Sequence, residues 1–212
     1  WLISISNNMK RRDFIQKSGL VASLGIFSPG VFGNAKMTNE IDELKPVLLN
    51  PLPPLEHNGG LNIRTWVRSE MTGGVYSSVE TAVAPKTMGP PPHHHKKLDE
   101  LMYVLEGTAS VLVGKDIVEV KAGGWHLRPR LIEHTFWNAA NTSLRFIDMY
   151  FNQDFEKYLE RIFFELTEKN GFKDGSAEKM RELNVLNEKY GVVFSETAFQ
   201  KFDELKKQYG LK

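Results

Sequence analysis

Residues 89–107 read Gly-Pro-Pro-Pro-His-His-His-Lys-Lys-Leu-Asp-Glu-Leu-Met-Tyr-Val-Leu-Glu-Gly, and residues 123–138 read Gly-Gly-Trp-His-Leu-Arg-Pro-Arg-Leu-Ile-Glu-His-Thr-Phe-Trp-Asn. Between them the two stretches hold His93, His95, Glu100 and His134, which read as the ligands of one metal ion. Along a β-strand residues i and i+2 face the same side. His93 and His95 therefore point one way and His94 the other. After a turn over Lys96–Asp99, Glu100 opens an apolar strand, Leu101–Leu105, on the face that also carries Met102 and Val104. An ionised carboxylate on such a face is costly unless it is paired or bound to metal. Glu106-Gly107 ends that strand in a turn, and Ala109–Val113 follows as its hairpin partner. Imidazole and carboxylate converging on one point are the donors that a first-row divalent ion takes. His57 and His126 read as ordinary core or surface histidines.

These two stretches resemble the two-part signature of the cupin superfamily. The first cupin motif is Gly-x5-His-x-His-x(3,4)-Glu-x6-Gly. The core from His93 through His95 and Glu100 to Gly107 matches it, while Gly89 stands closer to His93 than the pattern asks. The second motif is Gly-x5-Pro-x-Gly-x2-His-x3-Asn. Gly123, Pro129, His134 and Asn138 occupy its positions, and Leu131 stands where the family has glycine. The resemblance runs over about residues 61–151. It implies a mainly β fold, a jelly-roll β-barrel with the metal inside its mouth. The implied ion is one divalent transition metal, with Fe, Mn, Ni, Cu, Co and Zn all compatible. The family's equivalent of Glu100 implies a second role for that residue, as a catalytic base. A homodimer is also implied.

The chain has 212 residues, 41% hydrophobic and 11% aromatic, with no cysteine. One domain with a real core fits this length and composition. Any metal must be held by nitrogen and oxygen, and a disulfide or a thiolate nucleophile is excluded. The net charge is +1 with no basic stripe, so nothing points to nucleic acid. No phosphate-cradling glycine loop, nucleotide motif or Ser-His-Asp spacing is present.

Upstream of the motifs, Met9 reads as the start of translation. Arg11-Arg12-Asp13-Phe14-Ile15-Gln16-Lys17 resembles a twin-arginine export signal. The weakly apolar segment behind it is too short to span a membrane, and Gly33 and Ala35 are placed for cleavage after Ala35. Residues 1–35 thus read as a removable signal, which implies a protein exported to the periplasm or cell exterior and no membrane association afterwards. Those residues hold four basic and one acidic side chain, which leaves 23 basic and 25 acidic in the mature part. Residues 36–60 are proline-rich and read as an extended arm, with an edge strand around Val47–Leu49.

Residues 61–151 read as the β domain, a sandwich or barrel by their short, regularly spaced strands and a barrel by the resemblance. Leu61–Arg68, Val75–Ala84, Ile117–Val120 and Thr142–Phe151 read as further strands, with Val75, Ser77, Val79, Thr81 and Val83 on one face, and Trp125–Arg128 leads into the second motif. From Asp154 the apolar period changes from two to 3.6. Residues 152–212 carry three stripes: Phe155, Tyr158, Leu159, Ile162, Phe163 and Leu166 ending at Gly171; Met180, Leu183, Leu186 and Tyr190 ending at Gly191; Phe199, Phe202, Leu205 and Tyr209 ending at Gly210. These helices are expected on the outside of the barrel or across a dimer. Asn187–Val192 resembles the Lys-Tyr-Gly-hydrophobic ending of single-domain cupins similar to bacterial quercetinases.

Three His and one Glu leave open positions on an octahedral ion, which marks a catalytic rather than a closed structural site. The expected wall around it is apolar, from Met102, Val104, Phe136, Trp125, Phe146 and Tyr150. The first reading is a metal-dependent dioxygenase-type oxidoreductase acting on a small, aromatic or enediol substrate. A metal-dependent isomerase or decarboxylase is the alternative on the same site, and a non-enzymatic small-ligand-binding barrel is the third. Fold does not choose among them.

Overall fold

A computed structural model describes residues 44–212. The export-signal reading of residues 1–35 and the start of the arm lie outside the described residues. Residues 44–56 form no strand or helix, which corrects the edge strand expected at Val47–Leu49. Pro46, Pro51, Pro53 and Pro54 remove the N–H donors that a ladder would need. The arm is tied down instead by side chains: Arg64 Nη2 donates to the Pro53 carbonyl at 2.9 Å.

The barrel strands are β1 (Leu61–Val67), β2 (Tyr76–Val83), β3 (Thr87–Met88), β4 (His94–His95), β5 (Asp99–Glu106), β6 (Thr108–Val113), β7 (Asp116–Lys121), β8 (Trp125–Arg128), β9 (His134–Asn138) and β10 (Leu144–Phe151). One sheet runs β1-β2-β10-β5-β8 and the other β3-β9-β6-β7, with antiparallel pairing throughout. Their inner faces meet in a core of Val83, Met102, Val104, Ala109, Val111, Val120, Phe136, Leu144 and Phe146. This is the jelly-roll architecture that the cupin resemblance implies, and the two-residue period alone points only to a sandwich or a barrel. Glu100, Met102 and Val104 do share the buried face of β5. Val79, Thr81 and Val83 point inward from β2, whereas Val75 precedes the strand and is exposed.

The opposite face of β2 is also buried, because Glu80 there is a charged hub. Its carboxylate accepts from Arg64 Nη2 at 2.6 Å, Trp66 Nε1 at 2.8 Å and Arg145 Nη1 at 2.8 Å. Burial works against the ionised form, but these donors outweigh it and hold Glu80 below the usual carboxylate range. A depressed folded-state pKa stabilises the fold above the unfolded carboxylate pKa and loses that contribution as pH falls through the folded value. Glu80→Gln is therefore expected to cost about 2 kcal/mol near pH 7. Thermal melts across pH should show the gap to wild type closing below about pH 4.

Two motif positions explain themselves in the backbone. A Cβ on Gly89 would lie 2.3 Å from the Phe136 carbonyl oxygen, so the loop can approach β9 only without a side chain. Leu131, standing where cupins carry glycine, adopts φ +66° and donates its N–H to the His95 carbonyl at 2.9 Å. The turn keeps the left-handed geometry that glycine accepts freely, at a cost of about 1–2 kcal/mol for a side-chain-bearing residue. Leu131 is 66% exposed, so its side chain returns little burial energy. Leu131→Gly is expected to stabilise by about 1 kcal/mol, a rise of roughly 2–4 °C in Tm by calorimetry. Leu131→Ala keeps the strain and should gain nothing.

The three apolar stripes do form helices. They give α1 (Phe155–Glu160), α2 (Ala177–Tyr190) and α3 (Ala198–Tyr209); a short strand, β11 (Val192–Val193), follows α2. Gly191 and Gly210 terminate α2 and α3 in left-handed conformations at φ 66° and 60°. Past α1 the chain makes one π-helical turn, Arg161–Glu165, in which the Leu166 N–H reaches the Arg161 carbonyl at 2.9 Å. Rather than sitting on the outside of the barrel, α1 packs with Ile63, Val79, Leu98, Tyr150, Tyr190 and Val192 across its mouth. Only α3 matches the outer placement, against Met88, Leu112 and Trp137. Among the described residues no helix is long and apolar enough to cross a membrane.

Candidate metal centre

His93, His95, Glu100 and His134 come together, all buried, with one donor atom of each within 4.8 Å of the others. Backbone pairing sets the frame. His93 and His134 face each other across an antiparallel bridge, with His93 N–H to His134 carbonyl at 3.0 Å and the reverse bond at 2.8 Å. β4 then carries His95 to the same side, and His94 turns away. Glu100 enters from β5, between Arg128 of β8 and Tyr150 of β10 in register.

The donor chemistry fits a divalent ion. Nδ1 of His93 lies 2.9 Å from the Pro91 carbonyl, and Nδ1 of His134 lies 2.9 Å from the Ile132 carbonyl. A carbonyl can only accept, so Nδ1 of each ring carries the proton and Nε2 keeps its lone pair for the centre. Nε2 of His134 and of His95 is buried without a hydrogen-bond partner among the described residues. His95 Nε2 lies 2.8 Å from Glu100 Oε1 and yet is not hydrogen-bonded to it, as expected of two donors aimed at a common point. Burial, reinforced by His134 and His95, pushes the His93 imidazole down to about 3, so the ring is neutral at neutral pH. Burial opposes charge on Glu100 as well, but Arg128, His134 and His95 outweigh it and hold the carboxyl well below its usual range.

Arg128 and Asp148 belong to this site and were not anticipated. Arg128 Nη2 lies 3.1 Å from Glu100 Oε2 and pairs closely with Asp148 Oδ1, all three being buried. One guanidinium against two carboxylates leaves a single negative charge, which favours a bound cation. Asp148 had a signal in the sequence: Leu144, Phe146, Asp148 and Tyr150 alternate on the inward face of β10, so its carboxylate had to point inside. Arg128 had a weaker one. On β8 it is Trp125 and Leu127 that face solvent, each 55% exposed, while Arg128 is buried. The ion pair overrides hydrophobic alternation there.

A cavity of about 300 Å³ opens beside the cluster. His93, Glu100, Arg128, His134 and Asp148 form its polar end. Phe155, Tyr158, Leu159, Ile162 and Phe163 roof it from α1 and the π turn, with Val192 and Phe194 beside them. Of the apolar wall expected from sequence, Phe136 and Tyr150 do line the cavity. Met102, Val104 and Phe146 lie in the barrel core instead. Trp125 is outside, its ring 4.4 Å from that of Tyr103.

Residues 79–150 match the family described as cupin domain. No curated protein sequence matches the chain. Among solved structures, KdgF from a Halomonas species aligns with TM-score 0.41 and 16% identity over 46% of this chain and 84% of its own. A predicted oxalate decarboxylase from Thermotoga maritima aligns with TM-score 0.41 and 20% identity over 43% and 79%. An RmlC-like cupin from Shewanella frigidimarina aligns with TM-score 0.39 and 21% identity over 47% and 82%. Similarity at this level says nothing about activity.

Proposed function

We propose that this cupin-domain protein binds one divalent transition metal and acts as a dioxygenase-type oxidoreductase on a small substrate bearing an aromatic or enediol group. The observation that carries the reading is the two-ended cavity, with three imidazoles and a carboxylate at one end and an aromatic and aliphatic roof at the other. A bound Fe, Mn, Ni, Cu, Co or Zn ion would supply Lewis acidity, and in the redox-active cases electron exchange with O2. The chain's own part is positioning and proton handling. His93 and His134 present fixed tautomers, and the roof takes the substrate's apolar body and excludes water. Glu100, in this reading, takes the proton of a substrate hydroxyl on a carboxylate oxygen, while Arg128 keeps it ionised until then.

The test is oxygen uptake by metal-loaded protein against a panel of flavonols, catechols and enediols. Stoichiometric O2 consumption with one of them is the expected result. Turnover without O2 would overturn the oxidoreductase reading in favour of isomerisation or decarboxylation. Glu100→Gln is expected to lower turnover by about 100-fold or more, the usual contribution of a positioned base. Full metal content together with full turnover in that variant would remove the base role.

A further inference from the structure

The three histidines are not held alike. His93 and His134 each have Nδ1 on a backbone carbonyl, but Nδ1 of His95 is buried with no partner among the described residues. Metal-bound imidazoles are normally oriented by a hydrogen bond at the other nitrogen. Something else must hold His95. Its ring is met edge-on by Phe155 at 5.0 Å and 85°, from the first residue of α1. Phe155 is itself clamped, stacked on Tyr158 at 4.5 Å and packed against Tyr150 at 5.0 Å. The backbone of His95 is held from the same extension. β11 pairs with β4, with Val192 opposite His95 and Val193 opposite His94, and the Lys96 N–H donates to the Gly191 carbonyl at 2.9 Å. The Tyr190-Gly191-Val192 stretch thus ends a helix, turns at a left-handed glycine and adds a strand to the ligand strand.

We propose that the C-terminal extension, residues 152–212, is part of the metal centre, and that Phe155 is the positioning residue for His95 in place of the missing hydrogen bond. This rests on the metal-binding reading of the four residues. Because an edge-on ring has no polar alternative to offer, the imidazole keeps one orientation only while Phe155 fills its place. Neither α1 nor β11 falls within the segment that matches the cupin domain, so the site is completed by sequence outside that segment.

The experiment is Co2+ titration of the full chain, stripped with chelator, by competition and by visible absorption. Phe155→Ala is expected to weaken Co2+ by about 10-fold or more and to change the absorption bands, in line with the cost of losing an orienting partner. Phe155→Leu, which keeps most of the volume, should lose less in the same direction, and carries the test if the alanine variant fails to fold. Phe146→Ala is the comparator: an equally buried ring in the barrel core whose loss destabilises the fold without touching a ligand. It should melt earlier yet bind Co2+ as wild type does. Unchanged affinity and bands in both Phe155 variants, or an equal loss in Phe146→Ala, would overturn the proposal while leaving the metal site standing. Wild type that takes up no Co2+ would overturn the metal reading and the proposal with it.

Discussion

Protein carrying His93→Ala and His134→Ala together is expected to purify without metal and to show an affinity more than about 100-fold below wild type. Disturbing one outer partner of a ligand already costs about 10–100-fold. Here two of four donors go, and they are the two whose tautomers are fixed by backbone carbonyls. His95 and Glu100 remain, but two donors do not hold a first-row ion against chelator. The fold should survive, because the His93–His134 bridge is made by backbone atoms that alanine retains. Elemental analysis beside far-UV circular dichroism checks both halves. Near-stoichiometric iron, manganese, nickel or copper in wild type, absent from a folded variant, supports a redox-capable site. Zinc would favour hydrolysis or isomerisation. Metal retained by the variant would show that these histidines are not the ligands.

The clustering of His93, His95, Glu100 and His134 was legible because strand alternation is local. His93 and His95 share a side, and Glu100 sits on the Met102 and Val104 face, whatever the rest of the chain does. The glycine-ended stripes of α2 and α3 were legible for the same reason. What alternation and period cannot supply is the partner surface. The stripe from Phe155 to Leu166 states that one face is apolar, not that it covers the barrel mouth. Trp125 shows the other limit. Hydrophobicity put it inside, but β8 is an edge strand whose inward position belongs to Arg128, demanded by carboxylates 28 residues upstream at Glu100 and 20 downstream at Asp148. Charge complementarity over that separation is invisible until the sheet order is known. Leu131 is the converse case, where a left-handed backbone stands without the glycine that most easily adopts it.

Arg128→Met should be the most destabilising single change in the barrel, at about 3–5 kcal/mol, because it strands two buried carboxylates. At roughly 2–4 °C per kcal/mol for a chain of this size, the melting temperature should fall by about 6–20 °C. The loss should depend on metal. In stripped protein Glu100 and Asp148 would face each other with no cation between them. In loaded protein the ion replaces part of what the guanidinium supplied, so the variant should recover more on loading than wild type does. Adding Asp148→Leu removes one of the stranded charges and should restore part of the stability, a non-additive result that a double-mutant cycle would read directly. Arg128→Lys should fall between, since it keeps a positive charge but its shorter reach and more strongly hydrated ammonium serve less well at a buried point where one guanidinium nitrogen meets both carboxylates. Equal losses in stripped and loaded protein would show that Arg128 and the metal do not share Glu100. The charge balance assigned to the site would then be wrong even if the four ligands were right.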